Sequence, residues 1–139
     1  MKKGLFLLLS ALIVFVVLPG MVFSDDAYKQ TQGYKDYQKL PEKYKSPEME
    51  KMYRDGYAAE MKVKILKCKK GGTVQDCLDK KASVPAVEDL GWITSPYQGG
   101  WNIERMMLLN GTMKLVYKWR VEPDGTVKPV NGKAIGITK

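Results

Sequence analysis

The two cysteines, Cys68 and Cys77, are the residues whose type and spacing most directly suggest chemistry. They enclose the ten-residue segment CKKGGTVQDC. Redox motifs usually have the spacing C-x-x-C, and a zinc site needs four ligands, which two cysteines in a chain without histidine do not supply. In an oxidising compartment an even number of cysteines forms disulfides. The pattern predicts a structural disulfide, with no metal and no cofactor.

Acidic residues near the cysteines are the only candidates for catalysis. They could in principle form a carboxylate pair, but such residues more often cap helices or face solvent. The absence of histidine removes the side chain that most often transfers protons near neutral pH. We therefore predict that the protein is not an enzyme, and a carboxylate-based enzyme is the least favoured hypothesis. The acidic residues concerned are Asp76, Asp79, Glu88 and Asp89.

Lysines surround the cysteine pair in a chain whose formal net charge is +8. Such a cluster attracts an acidic protein, an anionic surface or DNA, and a merely solvated face is the alternative. Few arginines accompany it, so regulatory binding of nucleic acid is not expected. The candidate binding patch consists of Lys67, Lys69, Lys70, Lys80 and Lys81.

A second candidate site is an aromatic loop. Residues 93–101 are rich in turn-forming residues, and Trp92, Tyr97 and Trp101 lie in or beside them. These rings could hold a sugar or a peptide. Alternatively, they anchor the loop to the rest of the fold, because large aromatic side chains contribute much buried area.

The N-terminal residues 1–24 have the pattern of a secretory signal peptide. A short basic start precedes the apolar run 5–18, which ends at Pro19 and Gly20, and Ser24 is a small residue of the kind that signal peptidases recognise. A retained membrane anchor is the alternative, although a spanning helix needs about 20 apolar residues. We therefore predict export to the periplasm or the exterior of a bacterial cell.

The next two segments differ in apolar content. Residues 25–45 are polar and rich in tyrosine, which predicts a mobile or loosely docked arm, or else a docking strip for a partner. Residues 46–70 predict a long helix, because Ser46 can cap it and apolar residues recur every four positions. A short second helix is predicted over 73–82, and one more helical turn is expected before Gly91.

The last third changes to the period of a β-sheet. Asn110-Gly111 between apolar runs is typical of a hairpin turn. We predict strands near 101–109, 112–122, 126–130 and 133–138. Residues 46–139 would then form a single α+β domain, a long N-terminal helix packed on a four-stranded antiparallel meander. The apolar face of that sheet would carry Met106, Leu108, Met113, Leu115, Tyr117 and Trp119.

This order of elements resembles the globular domain of type IV pilins and pseudopilins. The resemblance covers residues 46–139 and includes the hairpin segments LNGTMKLVYKW and VNGKAIGITK. It implies an exported interaction protein, a pilin-like subunit or accessory protein with a protein partner in a surface filament or envelope assembly. The N-terminal pilin motif is absent, since cleavage after Gly4 would place Leu9 where pilins have glutamate. The alternative function is a periplasmic module that binds a ligand through the aromatic loop or the basic patch.

Overall fold

The computed structural model describes residues 25–139, so the predicted signal peptide at 1–24 lies outside the described residues. Within the described range, no helix combines the length and the apolar character needed to span a bilayer. The elements are, in chain order, α1 (Asp25–Lys29), α2 (Gln32–Gln38), a short 3₁₀ helix (Glu42–Tyr44), α3 (Pro47–Lys64), α4 (Val74–Ala82), β1 (Val87–Tyr97), β2 (Gly100–Leu109), β3 (Met113–Val121), β4 (Val127–Pro129) and α5 (Gly132–Ile137).

Helix α3 begins where the sequence predicts but ends earlier. Ser46 Oγ accepts a hydrogen bond from the backbone N–H of Met49 at 3.1 Å, which caps the first turn. The helix ends at Lys64, and three residues later the carbonyl of Lys67 accepts a bond from the N–H of Lys139 at 2.9 Å. The backbone beyond α3 therefore pairs with the end of the chain. The predicted long N-terminal helix is instead an 18-residue helix preceded by shorter ones.

The tyrosine-rich segment 25–45 packs on α3, contrary to the mobile or loosely docked arm expected from its composition. Tyr28 is 1% exposed, and its hydroxyl donates to the carbonyl of Glu50 at 3.4 Å. Tyr37 is also buried, and its hydroxyl donates to the carbonyl of Ser46 at 3.4 Å. Aromatic rings thus provide the apolar contact area that the few aliphatic residues of this segment do not.

The four strands form an antiparallel sheet in the order β1–β2–β3–β4. The predicted α+β class and the four-stranded antiparallel meander are therefore confirmed. The first strand is β1, in a region predicted to be a helical turn and a loop. Gly91 has a positive φ of 86°, and the β1–β2 pairing shifts between Asp89 and Gly91. A glycine of this conformation ends helices and also forms β-bulges, so the same residue permits both interpretations.

The predicted last strand, 133–138, is wrong, because these residues lie in and around helix α5. Asn131 Oδ1 accepts a hydrogen bond from the N–H of Ala134 at 3.0 Å, so Asn131 caps this helix. The sequence Asn131-Gly132 therefore starts a helix and does not turn a hairpin. The fourth strand is the short β4, which pairs with the end of β3.

The β2–β3 hairpin turns at Asn110-Gly111 as predicted, and these residues have φ angles of 52° and 72°. Leu109 is paired with Met113, so Thr112 is an additional residue between the strands. Because side chains alternate along a strand, this one residue exchanges the two faces of β2 relative to the prediction. The buried residues of β2 include Ile103, Arg105 and Met107, in place of Met106 and Leu108.

The hydrophobic core lies between α3, α4, α5 and one face of the sheet. Its largest side chain is Trp119, which is fully buried and whose Nε1 donates to Thr138 Oγ1 at 3.0 Å. The single polar atom of this ring is therefore paired. The buried members of the core are Ala59, Val63, Val74, Leu78, Ile103, Met107, Tyr117, Trp119, Val121 and Ala134.

The register of β2 can be tested with two adjacent methionines. Met107→Ala should lower the free energy of unfolding by about 2–5 kcal/mol, because it removes a fully buried side chain. Met106→Ala is the matched control on the other face and should cost about 1 kcal/mol or less. Urea denaturation of both variants measures the difference. A larger loss for Met106→Ala would show that the faces are exchanged.

Candidate functional site

The disulfide forms between Cys68 and Cys77, as predicted, and closes the connection between α3 and α4. Gly71 and Gly72 lie in this connection with positive φ angles of 95° and 71°, which side chains rarely tolerate. Closing a loop of this length stabilises a fold by about 2.5–3 kcal/mol in the chain-entropy model. The bond therefore limits the arrangements available to the lysines on either side of it.

A capping box starts helix α4. Thr73 Oγ1 accepts a hydrogen bond from the N–H of Asp76 at 3.1 Å, and the Asp76 carboxylate accepts one from the N–H of Thr73 at 2.9 Å. The bond from the backbone N–H of Thr73, together with its side chain, holds the pKa of the Asp76 carboxyl below its usual range. The contribution of Asp76 to stability is therefore present at neutral pH and is lost as the pH falls through that lowered pKa.

Beside the disulfide lies a groove of about 520 Å³, which we call the lysine groove. Three of the five predicted patch lysines line it, together with apolar side chains and the two cysteines. The structure thus places cationic groups next to an apolar surface. The accessible lining of the groove includes Lys70, Lys80, Lys81, Val84 and Ile137, whereas Leu78 is fully buried.

The other two patch residues, Lys67 and Lys69, are exposed but do not line the lysine groove. Lys69 Nζ donates to the carbonyl of Ile135 at 3.0 Å. Among the residues that line the groove, the only acid is Asp76, whose carboxylate is already bonded to the backbone of Thr73. Positive charge in the groove therefore exceeds negative charge.

The predicted aromatic loop does not exist, because residues 93–101 belong to the β1–β2 hairpin. Trp92 and Trp101 line a second groove of about 500 Å³, between this hairpin and helices α2 and α3. Tyr97 does not line it. That side chain is 46% exposed and stacks under the guanidinium of Arg120, with 4.3 Å between the Arg120 Cζ and the ring centre. The structure thus brings together two of the three predicted rings.

Two tyrosines of α3, Tyr53 and Tyr57, complete the second groove, which we call the aromatic groove. Both belong to the apolar stripe from which the helix was predicted, and such a stripe is expected to be core. Both are in fact only partly buried. Their aromatic type was the signal available in the sequence, but nothing there showed that β1 and β2 would leave the rings uncovered.

Helix α3 contains a glycine at the point where it meets the aromatic groove. A Cβ atom built on Gly56 would lie 2.9 Å from Cζ3 of Trp101, which is closer than van der Waals contact allows. Glycine costs up to about 1 kcal/mol relative to alanine within a helix. The structure explains this unfavourable residue, because its missing side chain admits the Trp101 ring.

Three of the four acidic residues considered for catalysis have structural partners. Arg105, which is 4% exposed, donates from Nε to Asp89 Oδ1 at 3.0 Å and from Nη2 to Asp79 Oδ1 at 3.2 Å. Its Nη2 also contacts the second Asp89 oxygen. Asp76 caps α4, and Glu88 is exposed. Sequence reasoning missed this buried arginine, because the predicted register of the strand turns Arg105 to solvent.

Within residues 25–139, no three His, Cys, Asp or Glu side chains come together in a way that could hold a metal ion. Comparisons with protein families, curated proteins and solved structures find no match to this chain. Inference about function therefore depends on the two grooves, one with excess positive charge and one lined by aromatic rings.

The fit of Trp101 against α3 can be tested at Gly56. Gly56→Ala should lower the free energy of unfolding by up to about 2 kcal/mol, because overpacking costs about 1–3 kcal/mol and the helix gains at most about 1. Gly136→Ala in α5 is the matched control. No atom lies within 4 Å of a Cβ built there, so this change should stabilise the protein. Equal stabilisation by both changes would contradict the packing described here.

Proposed function

We propose that the protein is an exported, non-enzymatic interaction protein that attaches through the lysine groove to an acidic protein of the cell envelope or of a surface filament. The observation that carries the proposal is the excess of lysine over acid beside an apolar surface. Lys70, Lys80 and Lys81 line the groove, and the carboxylate of Asp76 is committed to its helix cap. A pilin-like subunit or accessory protein is one specific form of this proposal and rests on the sequence resemblance.

The surroundings of the lysines favour binding over mere solvation. The disulfide and the capping box fix the start of α4, so the backbone that carries Lys80 and Lys81 is already ordered before a partner arrives. Lys81 Nζ donates to the hydroxyl of Tyr117 at 2.7 Å, which further limits its motion. Because the net charge is positive, an anionic partner would also be attracted from a distance.

The shape of the site favours a protein segment over a bilayer. A groove is concave, and an acidic segment can place an apolar side chain against the exposed Val84 and the partly buried Ile137 while its carboxylates meet the lysines. A flat layer of anionic headgroups would reach the lysines but not the apolar lining. Export is part of the proposal, since a structural disulfide persists in oxidising compartments.

The experiment is charge reversal of the five patch lysines to glutamate, at positions 67, 69, 70, 80 and 81. Co-purification with envelope and filament fractions should be lost in this variant. In the wild-type protein it should weaken from low to physiological salt, because exposed charges are screened over about 8 Å at 0.15 M. The matched control reverses five exposed lysines elsewhere, Lys29, Lys35, Lys43, Lys114 and Lys128, and should co-purify as the wild type does.

Each outcome decides the proposal. Normal co-purification of the patch variant, with circular dichroism showing an intact fold, would refute the lysine groove as a docking site. Equal loss of co-purification in both variants would show that binding depends on net charge alone and not on the lysine groove. If the wild-type protein sedimented with vesicles of phosphatidylglycerol but co-purified with no envelope protein, the partner would be a lipid surface, and the proposed acidic protein would be refuted.

A further inference from the structure

The aromatic groove differs in chemistry from the lysine groove, and no residue lines both. Rings of Tyr53, Tyr57 and Trp101 line it from α3 and β2. Its volume of about 500 Å³ falls in the range typical of small-molecule sites. The groove is therefore a separate concave surface with several partly exposed ring systems.

Charge within the aromatic groove is compensated by its own residues. Glu60 Oε1 lies 2.6 Å from Lys64 Nζ, and these side chains are only 16% and 14% exposed. Glu60 Oε2 also accepts a hydrogen bond from Thr94 Oγ1 at 2.8 Å. Asp36 is the remaining charged residue of the lining, and its carboxylate accepts a hydrogen bond from Gln32 Nε2 at 2.8 Å. It also forms an ion pair with the exposed Lys39, which does not line the groove. An ionic ligand would find no uncompensated charge there.

The remaining polar groups suit a ligand that both donates and accepts hydrogen bonds. Glu60 can accept through its carboxylate, the Gln32 amide can donate and accept, and Ser95 contributes an exposed hydroxyl. Flat rings beside such groups match the two surfaces of a sugar ring, which has an apolar C–H face and a rim of hydroxyl groups. We propose that the aromatic groove binds a neutral oligosaccharide, with the sugar rings against Trp101 and the tyrosines of α3.

The test is a titration of the purified protein with chitotetraose, cellotetraose and maltotetraose, in which isothermal calorimetry measures the binding of each sugar. At least one of them should bind with a Kd below about 1 mM. Trp101→Ala should weaken that binding about tenfold, because it removes a stacking surface. Tyr97→Ala is the matched control, since this exposed ring lies outside the aromatic groove, and it should change the Kd by less than about twofold.

A second variant separates loss of the site from loss of the fold. Ser95→Arg places a long side chain at an exposed position of the lining and removes no buried contact, so it should weaken sugar binding while the thermal unfolding midpoint stays unchanged. The variant with five reversed patch lysines should bind the sugar normally, which makes this test independent of the proposed function. Failure of all three sugars to bind at 10 mM would overturn the proposal. Tighter binding of choline or tetra-alanine than of any sugar, or equal sugar binding by Trp101→Ala, Ser95→Arg and Tyr97→Ala, would overturn it as well.

Discussion

A buried arginine on strand β2 connects the elements on which both grooves depend. Arg105 is 4% exposed, bonds to Asp79 of α4 and Asp89 of β1, and lies 5.2 Å from the centre of the Trp92 ring. A charge removed from water is costly unless it is paired, so α4 and β1 must hold their carboxylates in place around it. Helix α4 carries Lys80 of the lysine groove, and Trp92 lines the aromatic groove. Arg105 therefore helps to position residues of both surfaces, alongside the disulfide and the capping box that fix the start of α4.

Two concave surfaces with different charge balance follow from this framework. In the lysine groove the one acid, Asp76, is occupied by the helix cap, and the cations are left for a partner. In the aromatic groove the Glu60–Lys64 pair cancels its own charge, and the aromatic rings are left. The lysine groove therefore suits an anionic macromolecular partner, and the aromatic groove suits an uncharged small ligand. The two surfaces could be occupied together, because they share no residue.

Features set by neighbouring residues were predictable from the sequence, and features set by distant contacts were not. The cap at Ser46 and the turn at Asn110 depend on a few adjacent residues, and both were predicted correctly. Gly91 was misinterpreted because helix ends and β-bulges use the same glycine conformation. One further residue in the hairpin, Thr112, exchanged the faces of β2. The burial of Arg105, which follows from that exchange, requires carboxylates 26 and 16 residues away in sequence.

The most direct test of the framework is a double-mutant cycle between Arg105→Met and Asp89→Asn, measured as free energies of unfolding in urea. If the buried guanidinium holds β1 through Asp89, the two changes are coupled by about 0.5–3 kcal/mol. Asp89→Asn should then cost clearly less in a chain that already lacks Arg105. Strict additivity of the two changes, or an Arg105→Met variant as stable as the wild type with no coupling, would contradict the account.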